Sequence, residues 1–154
     1  MLDAALVMNL LVGTSGYSYK EWKGSFYPTK LPAREMLSFY SSRLPAVEIN
    51  NTFYRLPQQS MLETWRSQVP ASFRFALKAP QRITHFKRLK DAAEETKYFL
   101  DMAAVLDRQL GVVLFQLPPN MKKDLDRLQD FVQVLRPDLH AAFEFRHPSW
   151  FEDD

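Results

Sequence analysis

The run Gly111-Val112-Val113-Leu114-Phe115-Gln116 decides the fold. It is apolar until a polar residue closes it, and it has the length and branched residues of a buried strand. Upstream, Phe99, Met102, Ala103, Leu106 and Leu110 recur at helical spacing, and Gly111 stands where a helix from about Asp91 to Gln109 terminates. Downstream, Leu125, Leu128, Phe131, Val132 and Leu135 form a second helical stripe, from about Asp124 to Leu135, which Arg136-Pro137 ends. Helix, short buried strand and helix in succession are the repeating parts of an α/β protein with a parallel sheet.

Four more runs of the same kind flank this one. They are Leu10-Leu11-Val12-Gly13-Thr14, read as a strand from Asn9 to Thr14, then Ala46-Val47-Glu48-Ile49-Asn50, Phe73-Arg74-Phe75-Ala76-Leu77-Lys78 and Ala141-Ala142-Phe143-Glu144-Phe145-Arg146. Between them, Pro32 opens a helix through Met36, Leu37, Tyr40 and Leu44 that Pro45 ends, and a helix from Gln58 to Gln68 carries Met61, Leu62 and Trp65. Strand centres recur about every 30 to 35 residues, the length of one βα unit with its loops. Two architectures share that period: a doubly wound sheet, complete with five strands, and an eight-stranded barrel of roughly 250 residues. A doubly wound nucleotide-binding domain places a Gly-rich turn between its first strand and first helix. Here Gly13-Thr14-Ser15-Gly16-Tyr17 runs into an aromatic stretch that ends at Tyr27, which argues against that reading.

The chain has 154 residues, 46% hydrophobic and 25% charged, so one folded domain over residues 1–154 is expected. A net charge of +2 is too small to steer the protein toward a nucleic acid or a membrane surface over long range. With no cysteine there are no disulfides, no thiolate nucleophile and no Cys-type zinc site, and a reducing cytoplasmic location is expected. The apolar opening Met1 to Val12 lacks a basic leader, contains Asp3 and Asn9, and is too short to span a bilayer.

Several motifs occur together and in order: Gly13-Thr14-Ser15-Gly16-Tyr17, Val47-Glu48-Ile49-Asn50-Asn51-Thr52-Phe53-Tyr54, Phe115-Gln116-Leu117-Pro118-Pro119 and Glu144-Phe145-Arg146-His147-Pro148-Ser149-Trp150. Trp22, Phe26-Tyr27-Pro28, the run from Phe73 to Pro80 and Thr84-His85 belong to the same pattern. The chain from about Leu11 onward resembles the YecE-like family, a domain of unknown function. That resemblance implies a TIM-type (β/α) barrel, and family members continue past the equivalent of Trp150 with three more strands. The expectation is therefore an incomplete barrel, about five of eight βα strands, with two exposed sheet edges open to self-association. The resemblance carries no reaction.

A barrel gathers its functional groups at the C-terminal ends of its strands, and the polar residues of this sequence fall there. Glu48 and Asn50 end the second strand, Lys78 the third, Gln116 the fourth, and Glu144 and Arg146 the fifth. Alternation puts Glu48 with Asn50, and Glu144 with Arg146, on one face, leaving Val47, Ile49, Phe143 and Phe145 toward the helices. Glu48, Lys78 and Glu144 are the catalytic candidates: a carboxylate as acid or base, and a lysine as anion anchor or Schiff-base former. Structural Glu48–Lys78 or Glu144–Arg146 pairs are the alternative. Asn50, Tyr54, His85, Gln116, Arg146, His147 and Trp150 are the expected ligand-binding set. His85 and His147 lie on loops after the third and fifth strands, and Trp150 and Tyr54 are suited to stacking. Glu48, Glu144 and the histidines show no tight ligand spacing, so no metal site is predicted, and no cofactor can be named. A small polar or phosphorylated metabolite is the leading ligand class. The alternative is a nucleic-acid-binding or adaptor protein using the basic loop Arg82, His85, Lys87, Arg88 and Lys90 around Phe86.

Overall fold

Val47, Ile49, Phe75, Leu77, Val113 and Phe115 are buried, while Glu48, Ala76, Leu114 and Gln116, which alternate with them, are half-exposed. That alternation is the signature of a sheet covered on one face. In the computed structural model, which describes residues 10–152, the strands are β1 (Gly13–Ser15), β2 (Ala46–Ile49), β3 (Arg74–Lys78), β4 (Leu110–Gln116) and β5 (Ala141–Glu144). All four pairings are parallel and the spatial order is β1-β2-β3-β4-β5. A doubly wound sheet reverses its order at a switch point, so this sequential order excludes it. Same-handed crossovers between sequential neighbours put every helix on one side, as the burial pattern requires.

Those helices are α1 (Met36–Ser41), α2 (Asn51–Tyr54), α3 (Gln59–Gln68), α4 (Ala93–Ala103) and α5 (Leu125–Val132). Their apolar stripes meet the buried face of the sheet in an aromatic core. Trp65 of α3 stacks on Phe75 at 6.1 Å, and Phe115 contacts Phe131 of α5 at 5.3 Å and Phe143 at 5.2 Å. At the start of α5 the Asp124 carboxylate accepts the Arg127 N–H at 3.0 Å, a standard N-cap that fixes where the helix begins.

The departures from the expected boundaries have local causes. The first strand begins at Gly13, not near Asn9, which lies outside the described residues; Leu10 and Val12 are exposed and unpaired. Pairing starts where the absence of a side chain lets the chain lie against Ala46. The Pro32 to Leu44 helix enters through a 3₁₀ turn at Ala33–Glu35. It stops at Ser41, where the Ser41 and Ser42 hydroxyls donate to the carbonyls of Ser38 and Phe39. The long helix expected from Asp91 to Gln109 is α only to Ala103. A 3₁₀ stretch over Ala104–Gln109 follows, with Asp107 at φ 50°. Arg66 of α3 sets this break, donating to the Val105 carbonyl and the Asp107 carboxylate, each at 3.1 Å. The last strand ends at Glu144, so Arg146 lies just beyond it. Among the described residues no helix is long and apolar enough to cross a membrane.

Candidate functional site

Three polar clusters stand at the C-terminal ends of the strands, on the face turned away from the helices. In the first, parallel register sets Ser15 beside Glu48. The Ser15 hydroxyl donates to the Glu48 carboxylate at 2.7 Å, and the Asn50 amide donates to the Ser15 oxygen at 2.6 Å. Sequence reasoning missed Ser15; its position at the end of the first strand, before Gly16, was the available signal.

The second cluster surrounds Lys78. Its ammonium sits 4.8 Å from the centroid of the Phe53 ring, and that ring meets His85 edge-on at 4.9 Å. Phe53 is placed by the short helix α2, which the Thr52 hydroxyl anchors by donating to the Lys78 carbonyl at 2.7 Å. Among the described residues Glu48 and Lys78 form no ion pair, so the lysine's charge is left uncompensated beside an aromatic face. His85 rides on a π-helical turn, Arg82–Phe86, with its Nδ1 2.9 Å from the Thr84 hydroxyl. Burial, followed by the charges of Lys78, Arg146 and Arg88, pushes its pKa below the ordinary histidine value of 6.5. The imidazole is therefore neutral at pH 7 within a ring of cations.

The loop carrying His85 is pinned by Glu95. Its carboxylate pairs with Lys87 at 2.7 Å and Arg82 at 3.1 Å, and the Lys87 hydrogen bond is the leading cause that holds the Glu95 pKa down to about 2. Farther along the loop, Arg88 and Leu89 adopt positive φ, and Arg88 donates to the Asn120 side chain at 3.2 Å.

In the third cluster the Gln116 amide donates to both oxygens of Glu144, at 3.0 and 2.9 Å, and Arg146 lies 3.9 Å from the same carboxylate. The Glu144–Arg146 pair is thus long, and both side chains stay partly open to solvent.

The remaining candidates lie elsewhere. His147 accepts the Ser149 N–H at Nδ1, 3.1 Å, and caps the 3₁₀ turn Pro148–Phe151. Trp150 donates its indole N–H to the Met121 carbonyl at 2.9 Å and stacks on Phe145 at 4.5 Å. Tyr54 is 72% exposed and touches Phe53 alone among the aromatic rings. Among the described residues no three His, Asp or Glu side chains converge as a metal ion requires.

Known proteins resemble this chain in sequence and, where solved, in fold. The chain is similar to the UPF0759 protein YunF of Bacillus subtilis, 29% identical over 150 residues, covering 92% of this chain and 52% of that protein. It is 31% identical over 116 residues to the UPF0759 protein YecE of Escherichia coli K12, covering 75% of this chain and 43% of that protein. Among solved structures, a DUF72 family protein of Thermotoga maritima (TM1631) superposes with a TM-score of 0.76 at 31% identity, over 93% of this chain and 58% of that one. A DUF72 family protein of Enterococcus faecalis (EF0366) also gives 0.76, at 24% identity, over 92% of this chain and 52% of that one. The chain spans about half the length of the curated relatives it matches. The family described as "protein of unknown function DUF72" matches residues 11–154, and the chain belongs to it.

Proposed function

We propose that this chain is a single domain forming the first five strands of a TIM-type barrel, and that its strand ends make one side of a mouth that binds a small anionic metabolite. Sequential parallel order with helices on one side supports the barrel reading. Lys78 and Arg146 anchor a phosphate or carboxylate, Asn50 and Gln116 orient the ligand, and Glu48 or Glu144 takes or gives a proton. The observation that carries the reading is Lys78, a strand-end ammonium without a carboxylate partner among the described residues, near a histidine whose pKa is lowered by burial and then by the charges of Lys78, Arg146 and Arg88. Ser15 and Asn50 act as positioning residues for Glu48.

The test is calorimetric titration with matched pairs of phosphorylated and dephosphorylated sugars and small acids. Binding confined to the anionic member of a pair, and lost in Lys78→Met, is the expected result. Equal binding of both members, or none by any anion, contradicts it. The nucleic-acid reading has less support, because Arg82 and Lys87 are tied to Glu95 and Arg88 to Asn120.

Parallel sheets are covered on both faces, and here Val112 and Leu114 lie half-exposed on the open one, between edge strands β1 and β5. We expect the 154-residue chain to self-associate with rising concentration in sedimentation velocity, and Leu114→Lys to shift it toward monomer. A chain that stays monomeric at every concentration contradicts this.

A further inference from the structure

A groove of about 480 Å³ opens beside the strand-end clusters, between the end of α2, the turn after β3 and the first turns of α4. Its volume falls in the range of small-molecule sites. Phe53, Tyr54, Phe86 and Tyr98 line it together with Pro80. Phe86 is 72% and Tyr98 55% exposed, so three large rings, counting Tyr54, stand open to water around one depression. Such clustering of exposed apolar surface marks a binding site more often than a bare surface.

The polar side chains of the lining fall into two sets. Arg82 is paired with Glu95, which Lys87 also holds. Arg55, Gln81 and Glu94 have no hydrogen-bond or ion-pair partner for their side chains among the described residues. The groove therefore offers aromatic faces, one free guanidinium, one free amide that both donates and accepts, and one free carboxylate. A purely apolar ligand makes no use of these three polar groups. A bare anion makes no use of the rings, and a simple cation makes none of Arg55.

We propose that this groove binds a nucleoside monophosphate: the base stacks on the exposed rings, Gln81 reads its edge, Arg55 holds the phosphate and Glu94 accepts from the ribose hydroxyls. This site is separate from the mouth but shares Phe53 with it, since the same ring lies under Lys78 and against His85.

Adenosine monophosphate, adenosine and ribose 5-phosphate, titrated by calorimetry into the 154-residue chain, test the proposal. AMP is expected to bind with a dissociation constant below about 1 mM, and Phe86→Ala or Tyr98→Ala to weaken it about tenfold. Arg55→Ala is expected to bring AMP down to the affinity of adenosine while leaving adenosine unchanged. These side chains are exposed, so an unaltered melting curve certifies that each variant is folded. Ribose 5-phosphate binding as tightly as AMP overturns the proposal, as does silence at about 5 mM AMP. AMP binding that falls in Arg146→Met and ignores Phe86→Ala places the ligand in the mouth and overturns it too.

Discussion

Gly13→Ala is expected to detach β1 and dismantle the first polar cluster with it. A Cβ at residue 13 falls 2.0 Å from the Ala46 carbonyl oxygen and 2.6 Å from its carbon. Both atoms are backbone of the neighbouring strand and have no rotamer to escape into, so the strands must part. Tyr40 makes the loss larger. Its buried hydroxyl accepts the Thr14 N–H and donates to the Ala46 carbonyl, each at 2.9 Å, stitching the two strands together. With the pairing displaced, these groups lose their partners and Ser15 no longer meets Glu48. A loss of about 3 kcal/mol or more follows, a fall in melting temperature on the order of 10 °C. Gly24→Ala is the control: its φ is 88°, but the nearest atom to a new Cβ is the Thr29 hydroxyl at 3.9 Å, so only the backbone strain of about 1 kcal/mol applies. Equal melting temperatures for Gly13→Ala and Gly24→Ala contradict the account.

Lys78→Met is expected to weaken binding of any anionic ligand at the mouth about 100-fold, the scale for losing one charge from a close pair. Methionine keeps the stem against Phe53, so folding is preserved while the charge is removed. Arg146→Met is expected to cause a smaller loss, about tenfold, because that side chain is partly solvated and already lies near Glu144. A Lys78→Met chain that binds as the parent does removes the basis for the functional reading. The variant has a second signature: with the strongest of the charges acting on His85 gone, the histidine pKa moves part of the way back toward its ordinary value, burial still lowering it.

Much of this was legible in the chain because the interior strands announce themselves. Runs such as Phe73 to Lys78 alternate, end in a polar residue and are flanked by helix stops, so both the strand and the residue at its functional end can be read. The edge strand could not be placed in the same way. Leu10 to Val12 are the more apolar residues, yet the sheet takes Gly13–Ser15, because close approach to Ala46 matters more there than hydrophobicity. The early end of α4 depends on Arg66, which lies 41 residues before the Asp107 carboxylate it binds. No local pattern reports a contact of that span. In the site, Glu48, Lys78, Gln116 and Glu144 follow from alternation. Ser15, Phe53 and the tie between Lys87 and Glu95 follow only once register and loop path are known.

If the cations around His85 form an anion-binding mouth, ligand binding and protonation of His85 are linked. His85 is neutral in the folded chain at pH 7, and the unfolded chain takes up the proton first as pH falls through about 6.5. The contribution of this histidine to stability is therefore present above that pH and is lost below it. An anion seated among Lys78, Arg88 and Arg146 offsets their charge, raises the His85 pKa and, by reciprocity, binds more tightly as pH falls. An NMR titration of the His85 ring, with and without sulfate, whose charge is constant over that range, tests this directly. The account predicts titration below the ordinary histidine value without sulfate and a rise when sulfate is added. A ring that titrates at or above that value and ignores sulfate contradicts it.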